Sequence, residues 1–575
     1  MKLAVFSVLA LQLNFPAQAQ TPQLPPKSEV RAVWITTVAS LDWPKSQDPV
    51  EQRRSLLEMV TRLHAAHFNT IFFQVRGRGD AMYRSSYEPW AQQLSGTLGK
   101  DPGWDPLGFI VQEAHRRQME VHAWFNTFLL KSSRFPLSPY LDKHRDWAKD
   151  VDGEFWLDPG LPAVREYLCA VAMDLMRHYA VDGIHFDFIR YPGKLFPDDQ
   201  SYRRYGGKTP REDWRRENVN KFVRMVYDSV TALNPLLKVG SAPIGIYTDN
   251  GKVKGLRGYD DLYQDSRRWL REGKQDYLCP QLYWSLGDRT GNPDFAGLAK
   301  DWGEHAYSRQ IIPGIGAYKP NVSAEIGKLV DVSRASGCAG NSFFRYGSIE
   351  GALDIGSRYR TLANIPPMKW KDGLPPGTPD NLSVTAASAG AIFRLSWGSA
   401  RPAADGDRAA LYDVYRSAKP PVDIDDPSNL VAILPGSAGE YHDTVTSPGA
   451  ARYYYAVTAL DRANNEGLPA TAGVLLPEVA DLARQFAPQF RMGLCYPDPA
   501  TSTVFVPFEI GQPSSRVSLT VFDSGSRELA KLVDGVRPPG RYVAAFDVSS
   551  LKGGVYSFVL TSGGASLTRE TRIDH

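Results

Sequence analysis

Between Val30 and Arg345 the chain alternates eight short apolar runs with amphipathic stretches of helical length, and few folds tolerate that alternation. The runs cover residues 30–38, 70–75, 120–126, 183–190, 238–246, 276–284, 311–318 and 339–345. Strand-length segments separated by helical ones build a parallel sheet covered by helices. Residues 52–64 and 164–179 carry the helical pattern most plainly. Eight repeats are enough to close the sheet on itself, so the expected fold class is α/β: a (β/α)8 TIM barrel over residues 28–366, enlarged by loop insertions.

After residue 366 the pattern changes. A Pro/Gly-rich linker at 373–379 leads into period-2 runs at 392–397, 411–416, 430–434 and 453–460. Trp397 and the tyrosine run 453–455 resemble a fibronectin type III domain, placed at 374–477. The segments 496–503, 517–523 and 551–560 resemble the C-terminal Ig-like domains of secreted bacterial proteins, placed at 485–575. Some of those domains are sorting signals that open on Asn-Pro where this chain has Asp498-Pro499. Two all-β sandwich domains are therefore expected behind the barrel. At the other end, Lys2, the apolar run 3–13 and the small-residue site Ala17-Gln18-Ala19 form an export signal over residues 1–19. That predicts a mature chain in the periplasm, at the cell surface or outside the cell, with no segment inserted in the membrane.

A net charge of +3 over 575 residues sets up no field for nucleic acid. The four cysteines, Cys169, Cys279, Cys338 and Cys495, lack metal-ligand spacing, and no nucleotide fingerprint or Ser/His/Asp elbow is present, so neither metal nor cofactor is expected. Eleven of the thirteen tryptophans precede Met368, which concentrates flat apolar rings of the kind that pack on sugar faces in the barrel.

The segment 182–192 carries the chemistry. On a strand His185 and Asp187 share one face while Ile184, Phe186 and Phe188 take the other. Active sites of this fold lie at the C-terminal strand ends, where an ionisable group is a candidate for a tuned acid or base. Asp187 is the expected catalytic acid, and Asp182 a turn former. On the third strand Trp124 and Asn126 share a face with His122, a core histidine; Gln74 and Arg76 share a face of the second. Arg76, Arg78 and Arg190 would bring guanidinium groups to the mouth, to pair with Asp187 and Asp80 or to grip a sugar carboxylate. The expected substrate contacts are Arg76, Trp124, Asn126, His185, Arg190, Gln281, Tyr283 and Trp284.

Five segments in order, 29–35, 73–83, 156–160, 182–192 and 280–284, resemble the glycosyl hydrolase-like barrels related to family 10. The resemblance spans roughly 29–366 and implies a glycan substrate, with peptidoglycan strands stripped of their stem peptides as the best-understood case. Most glycosidases need two carboxylates. The later strands end instead in Gln281, Tyr283 and Trp284, in Gly316 to Tyr318, and in Arg345 and Tyr346, so the second group must come from elsewhere. Loop candidates are Asp80, Glu154, Asp158, Asp249 and Glu350, with Asp80 first because it follows the second strand directly. Alternatively, the 2-acetamido group of the substrate serves as nucleophile. The fourth strand looks distantly like that of chitinase-type enzymes, and Tyr283 matches their acetamido-holding tyrosine. Ile189 stands where they carry an acid glutamate, which leaves Asp187 to act as the acid. The expected function is an exported endo-acting glycoside hydrolase of N-acetylhexosamine polymers; the alternative is a non-catalytic cell-surface glycan-binding protein.

Overall fold

The computed structural model describes residues 24–132, 138–248, 253–287, 293–386, 392–445, 452–475, 490–510, 515–538, 540–562 and 565–574. The export signal at 1–19 and the loop carboxylate Asp249 lie outside the described residues. Among the described residues no helix is long and apolar enough to cross a membrane.

The N-terminal region is a closed (β/α)8 barrel. Its strands are β1 (Val30–Ile35), β2 (Thr70–Arg76), β3 (Glu120–Asn126), β4 (Gly183–Asp187), β5 (Lys238–Ser241), β6 (Tyr277–Leu278), β7 in two pieces (Gln310–Ile311 and Gly314–Ile315) and β8 (Gly340–Phe343). All neighbours pair in parallel, and β8 returns to β1 through the register Val30↔Gly340 to Val33↔Phe343. Proline has no N–H to give a ladder, and Pro313 divides β7. The ring still closes there, because Ile312 N–H reaches Leu278 O at 2.9 Å and Gly314 N–H reaches Pro280 O at 2.8 Å. The helices between strands start on strong local signals. Pro49–Ala65 is capped by Asp48, Pro106–His115 by Asp105 and Phe295–Glu304 by Asp294, each carboxylate accepting from the first turn.

The barrel interior is filled rather than hollow. Trp34, Phe72, Trp124, Tyr277 and Cys279 pack across it, all at most 3% exposed. A polar chain threads these rings and fixes every tautomer. The Trp34 indole N–H donates to His185 Nε2 (3.1 Å), leaving Nδ1–H to donate to the Tyr277 hydroxyl (3.2 Å). Tyr277 then donates to His122 Nδ1 (2.7 Å), and His122 Nε2–H donates to Glu120 (3.1 Å), which also takes the Lys238 ammonium at 2.5 Å. Buried polar groups are tolerable when each finds a partner, and here they do. The floor is made by Ile365 and Met368, with the Trp370 indole and Lys371 ammonium on Asp276 at 2.9 and 3.0 Å. Barrel packing thus runs to Lys371, past the expected end at 366.

Beyond the barrel, seven strands follow: Asp380–Ala386, Ile392–Gly398, Leu411–Ser417, Leu430–Pro435, Glu440–Thr444, Arg452–Leu460 and Ala470–Leu475. The first, second and fifth form one sheet; the fourth, third, sixth and seventh form another, in that order. The last region is antiparallel too. Thr503–Ile510 is flanked by Phe490–Met492 and Gly540–Asp547, and Ser515–Phe522 by Glu528–Arg537 and Gly554–Ser562, with Ala565–Ile573 at the edge. Val504, Val506, Val517, Leu519 and Phe558 share its core.

Where the barrel meets the strand Leu411–Ser417, the buried Asp413 accepts from Asn364 Nδ2 and from the Tyr415 hydroxyl (3.0 Å). The same hydroxyl lies 2.7 Å from Glu466, itself paired with Lys27 at 2.5 Å, and one proton cannot serve both carboxylates. Asp413 Oδ1 and Asn364 Oδ1 are both buried without a partner, so a proton on Asp413 is the missing donor. Burial, with Glu466 nearby, pushes the Asp413 pKa up to about 7. The unfolded chain releases that proton near pH ~4, so the stability it supplies is complete below ~4 and gone above ~7. Asp413→Asn should therefore gain on wild type by a few kcal/mol between pH ~5 and ~8 in denaturant unfolding, an order-of-magnitude figure. A gap that does not change with pH would contradict this.

Candidate active site

Asp187 closes β4 and stands opposite Asn126 of β3, at the C-terminal mouth of the barrel. Its Oδ1 accepts from the Phe188 N–H at 2.7 Å and from Gln281 Nε2 at 3.3 Å. Phe188 takes a left-handed backbone (φ 50°), a conformation that non-glycine residues seldom adopt and that recurs at functional sites. Asp187 is half-buried. Burial of the carboxyl raises its pKa to about 6, against opposing pulls from the Phe188 N–H, Arg190, Gln281 and the Trp124 indole. A carboxyl near pH 6 holds a proton that it can deliver at working pH.

An aromatic wall faces it. Tyr283 stacks on Phe344 (centroids 5.5 Å, 30°) and meets Tyr318 edge-on at 6.0 Å, and Tyr318 is half exposed. Lys319 donates to the Tyr283 carbonyl (2.8 Å) and lies 5.9 Å from the Trp284 ring. Gly316 makes room: a Cβ there would sit 2.8 Å from the Tyr283 Cβ. Burial first, and the Asp187 charge second, push the Tyr283 phenol pKa well up, so it stays a neutral donor beside the acid.

Several expected contacts lie elsewhere. Arg76 does not reach the mouth. A register shift between Gln74 and Arg76 turns it to the outer face of β2, where it lies over Phe125, pairs with Glu88 at 2.7 Å and donates to the Thr127 carbonyl at 3.1 Å. His185 does not offer itself to substrate either: it is fully buried in the lumen, with both nitrogens used and its pKa driven well down by burial. Trp124 and Asn126, 3% and 2% exposed, form the floor under Asp187 rather than a surface for a sugar ring. Asn126 Nδ2 donates to the Gly77 carbonyl at 2.9 Å, while its Oδ1 is buried without a partner.

Among the loop carboxylates, Asp158 is structural, fully buried against Ser201 Oγ (2.6 Å) and Gly160 N–H (2.8 Å). Glu350 lies beside Arg62, in the last turn of Pro49–Ala65, away from the mouth. Asp80 and Glu154 remain. Asp80 Oδ1 accepts from the Arg78 N–H at 2.9 Å, and Glu154 pairs with the Arg78 guanidinium at 3.2 Å. Glu154 belongs to a small antiparallel sheet, Leu129–Ser132, Ala148–Val151 and Glu154–Leu157, which is inserted after β3. Phe344 has no mark in the sequence pattern, because an apolar ring at a strand end looks like core.

The Arg76–Glu88 pair is dry, and removing one partner of such a pair costs about 3–5 kcal/mol. Glu88→Gln should lower the unfolding midpoint accordingly while the folded fraction keeps its KM. A large rise in KM without loss of stability would return Arg76 to the substrate site.

The glycosyl hydrolase-like 10 family model matches residues 29–328. "Glycosyl hydrolase YngK" of Bacillus subtilis (strain 168) is 30% identical over 502 residues, 80% of this chain and 95% of that protein. "Glycosyl hydrolase DigH" of Escherichia coli (strain K12) is 32% identical over 348 residues, 54% of this chain and 79% of its own length. The PgaB (BpsB) glycoside hydrolase domain from Bordetella bronchiseptica superposes with a TM-score of 0.45 at 12% identity, covering 58% of this chain and 99% of that domain. The family model over half of the chain and the 30% identity to YngK show that the chain belongs to the glycosyl hydrolase-like 10 family and is a glycoside hydrolase.

Proposed function

We propose that the enzyme is exported and cuts internal bonds of peptide-free peptidoglycan strands or a related N-acetylhexosamine polymer, with Asp187 as general acid. The observation that carries this is a desolvated carboxyl with pKa about 6 beside a neutral tyrosine, with no second carboxylate bonded to it among the described residues. Such a site suits a substrate that brings its own nucleophile. Asp187 gives its proton to the glycosidic oxygen while the acetamido carbonyl oxygen attacks the anomeric carbon and the C–O bond breaks. Tyr283 donates a hydrogen bond to that acetamido group, and Trp284 and Tyr318 offer ring faces to neighbouring sugars. The Asp187 carboxylate then takes a proton from the water that opens the cyclic intermediate. If a side-chain carboxylate assists instead, Asp80 is the choice: its second oxygen makes no hydrogen bond to any described residue. Export rests on Lys2, the apolar run 3–13 and Ala17-Gln18-Ala19. The β domains, the first with a fibronectin-like strand order, serve as non-catalytic appendages.

Asp187→Asn should lower turnover on peptide-free strands roughly a hundredfold or more, with binding nearly unchanged. An aryl glycoside with an activated leaving group needs no proton, so the variant should recover much of its rate there. Because the acid must be protonated, wild-type kcat/KM on natural strands should fall as pH rises through about 6. Near-normal turnover by the variant would move the acid to Asp80. Strand binding by wild type without new reducing ends would leave a glycan-binding barrel.

A further inference from the structure

Arg190 stands three residues past Asp187, on the turn that leaves β4. Its guanidinium lies 5.3 Å from the Trp156 ring centroid and 5.2 Å from that of Phe188, which fixes its position from two sides. Other arginines around the barrel are spent on carboxylates: Arg76 on Glu88, Arg78 on Glu154, Arg215 on Asp198 and Arg345 on Asp42. Arg190 makes one hydrogen bond among the described residues, from Nη1 to the Tyr191 carbonyl at 3.2 Å. Asp187 and Glu154 are close enough to act on it electrostatically, yet neither comes within ion-pair distance. A guanidinium is never deprotonated in a protein, and five N–H donors in a planar fork match a carboxylate two by two. Holding such a group partly desolvated and largely unpaired is unfavourable unless a ligand completes it. Aromatic faces that hold the fork in place reduce the ordering needed when the ligand arrives.

We propose that Arg190 is a specificity residue that binds a carboxylate on the sugar next to the scissile bond, so that the enzyme selects acidic N-acetylhexosamine strands over neutral ones. The inference rests on Asp187 marking the cleavage point of a glycoside hydrolase. It separates two substrate classes that the rest of the site treats alike. A lactyl ether carboxylate meets the requirement; a homopolymer of N-acetylglucosamine does not.

The test uses the full chain with two forms of one substrate: peptide-free peptidoglycan strands, and the same strands with lactyl carboxylates converted to methylamides. Binding is read by calorimetry and cleavage by new reducing ends. Wild type should favour the free acid at least tenfold in both readouts. Arg190→Gln should bring the ratio of free acid to amide to about one in both readouts, and Arg190→Lys should keep part of the preference. Equal handling of both forms by wild type overturns the inference without needing any variant. A loss by Arg190→Gln that is the same on both forms also overturns it, leaving Arg190 as a positioning residue for Asp187. A tenfold preference in binding with no cleavage would sustain the role of Arg190 and refute hydrolysis; cleavage without preference would do the reverse.

Discussion

A ring of eight parallel strands leaves no sheet edge free, and it points every second side chain into a lumen that water cannot fill. Whatever enters that lumen must find a partner inside it. The chain meets this with stacked rings, Phe72 on His185 at 4.2 Å and Tyr277 on His185 at 5.8 Å, and with a hydrogen-bond chain that runs from Trp34 through His185, Tyr277, His122 and Glu120 to Lys238. The rigidity of that packed column lets the layer above it hold a carboxyl in an unfavourable environment. Removing charge from water is expensive in the interior, and Asp187 answers by holding its proton to higher pH rather than by recruiting a close cation.

The mouth therefore divides by solvation. On one side Arg78 and Glu154 satisfy each other. On the other, Asp187, Tyr283 and Arg190 are held by aromatic contacts and few bonds, and burial shifts the pKa of each towards its neutral form. Groups held short of their usual partners at the mouth of a barrel are poised for a ligand that supplies them. A sugar with a glycosidic oxygen, an acetamido group and a carboxylate has one feature for each.

Much of this was legible in the amino-acid sequence because it depends on period and strand position. Alternation along 183–187 put His185 and Asp187 inward and Phe186 outward, and the outward ring does pack against Phe125 and Phe222. The eight strands begin within two residues of the apolar runs. Period alone could not show how deep a side chain lies, so His185 and Trp124 were expected in the site when they form its floor. Arg76 was misplaced by a single register shift, which inverts facing without leaving a compositional mark. The floor segment through Met368 and Trp370 looks like the start of a linker in sequence, because its partner Asp276 is distant in the chain.

Every step of the mechanism depends on the proton that Asp187 holds, so direct titration of that carboxyl is the decisive measurement. An infrared difference titration of wild type against Asp187→Asn isolates its carboxyl band without substrate or turnover. The account predicts one protonated carboxyl lost in wild type with a midpoint of about 6. A midpoint near ~4, the value of an ordinary solvated aspartate, would contradict it.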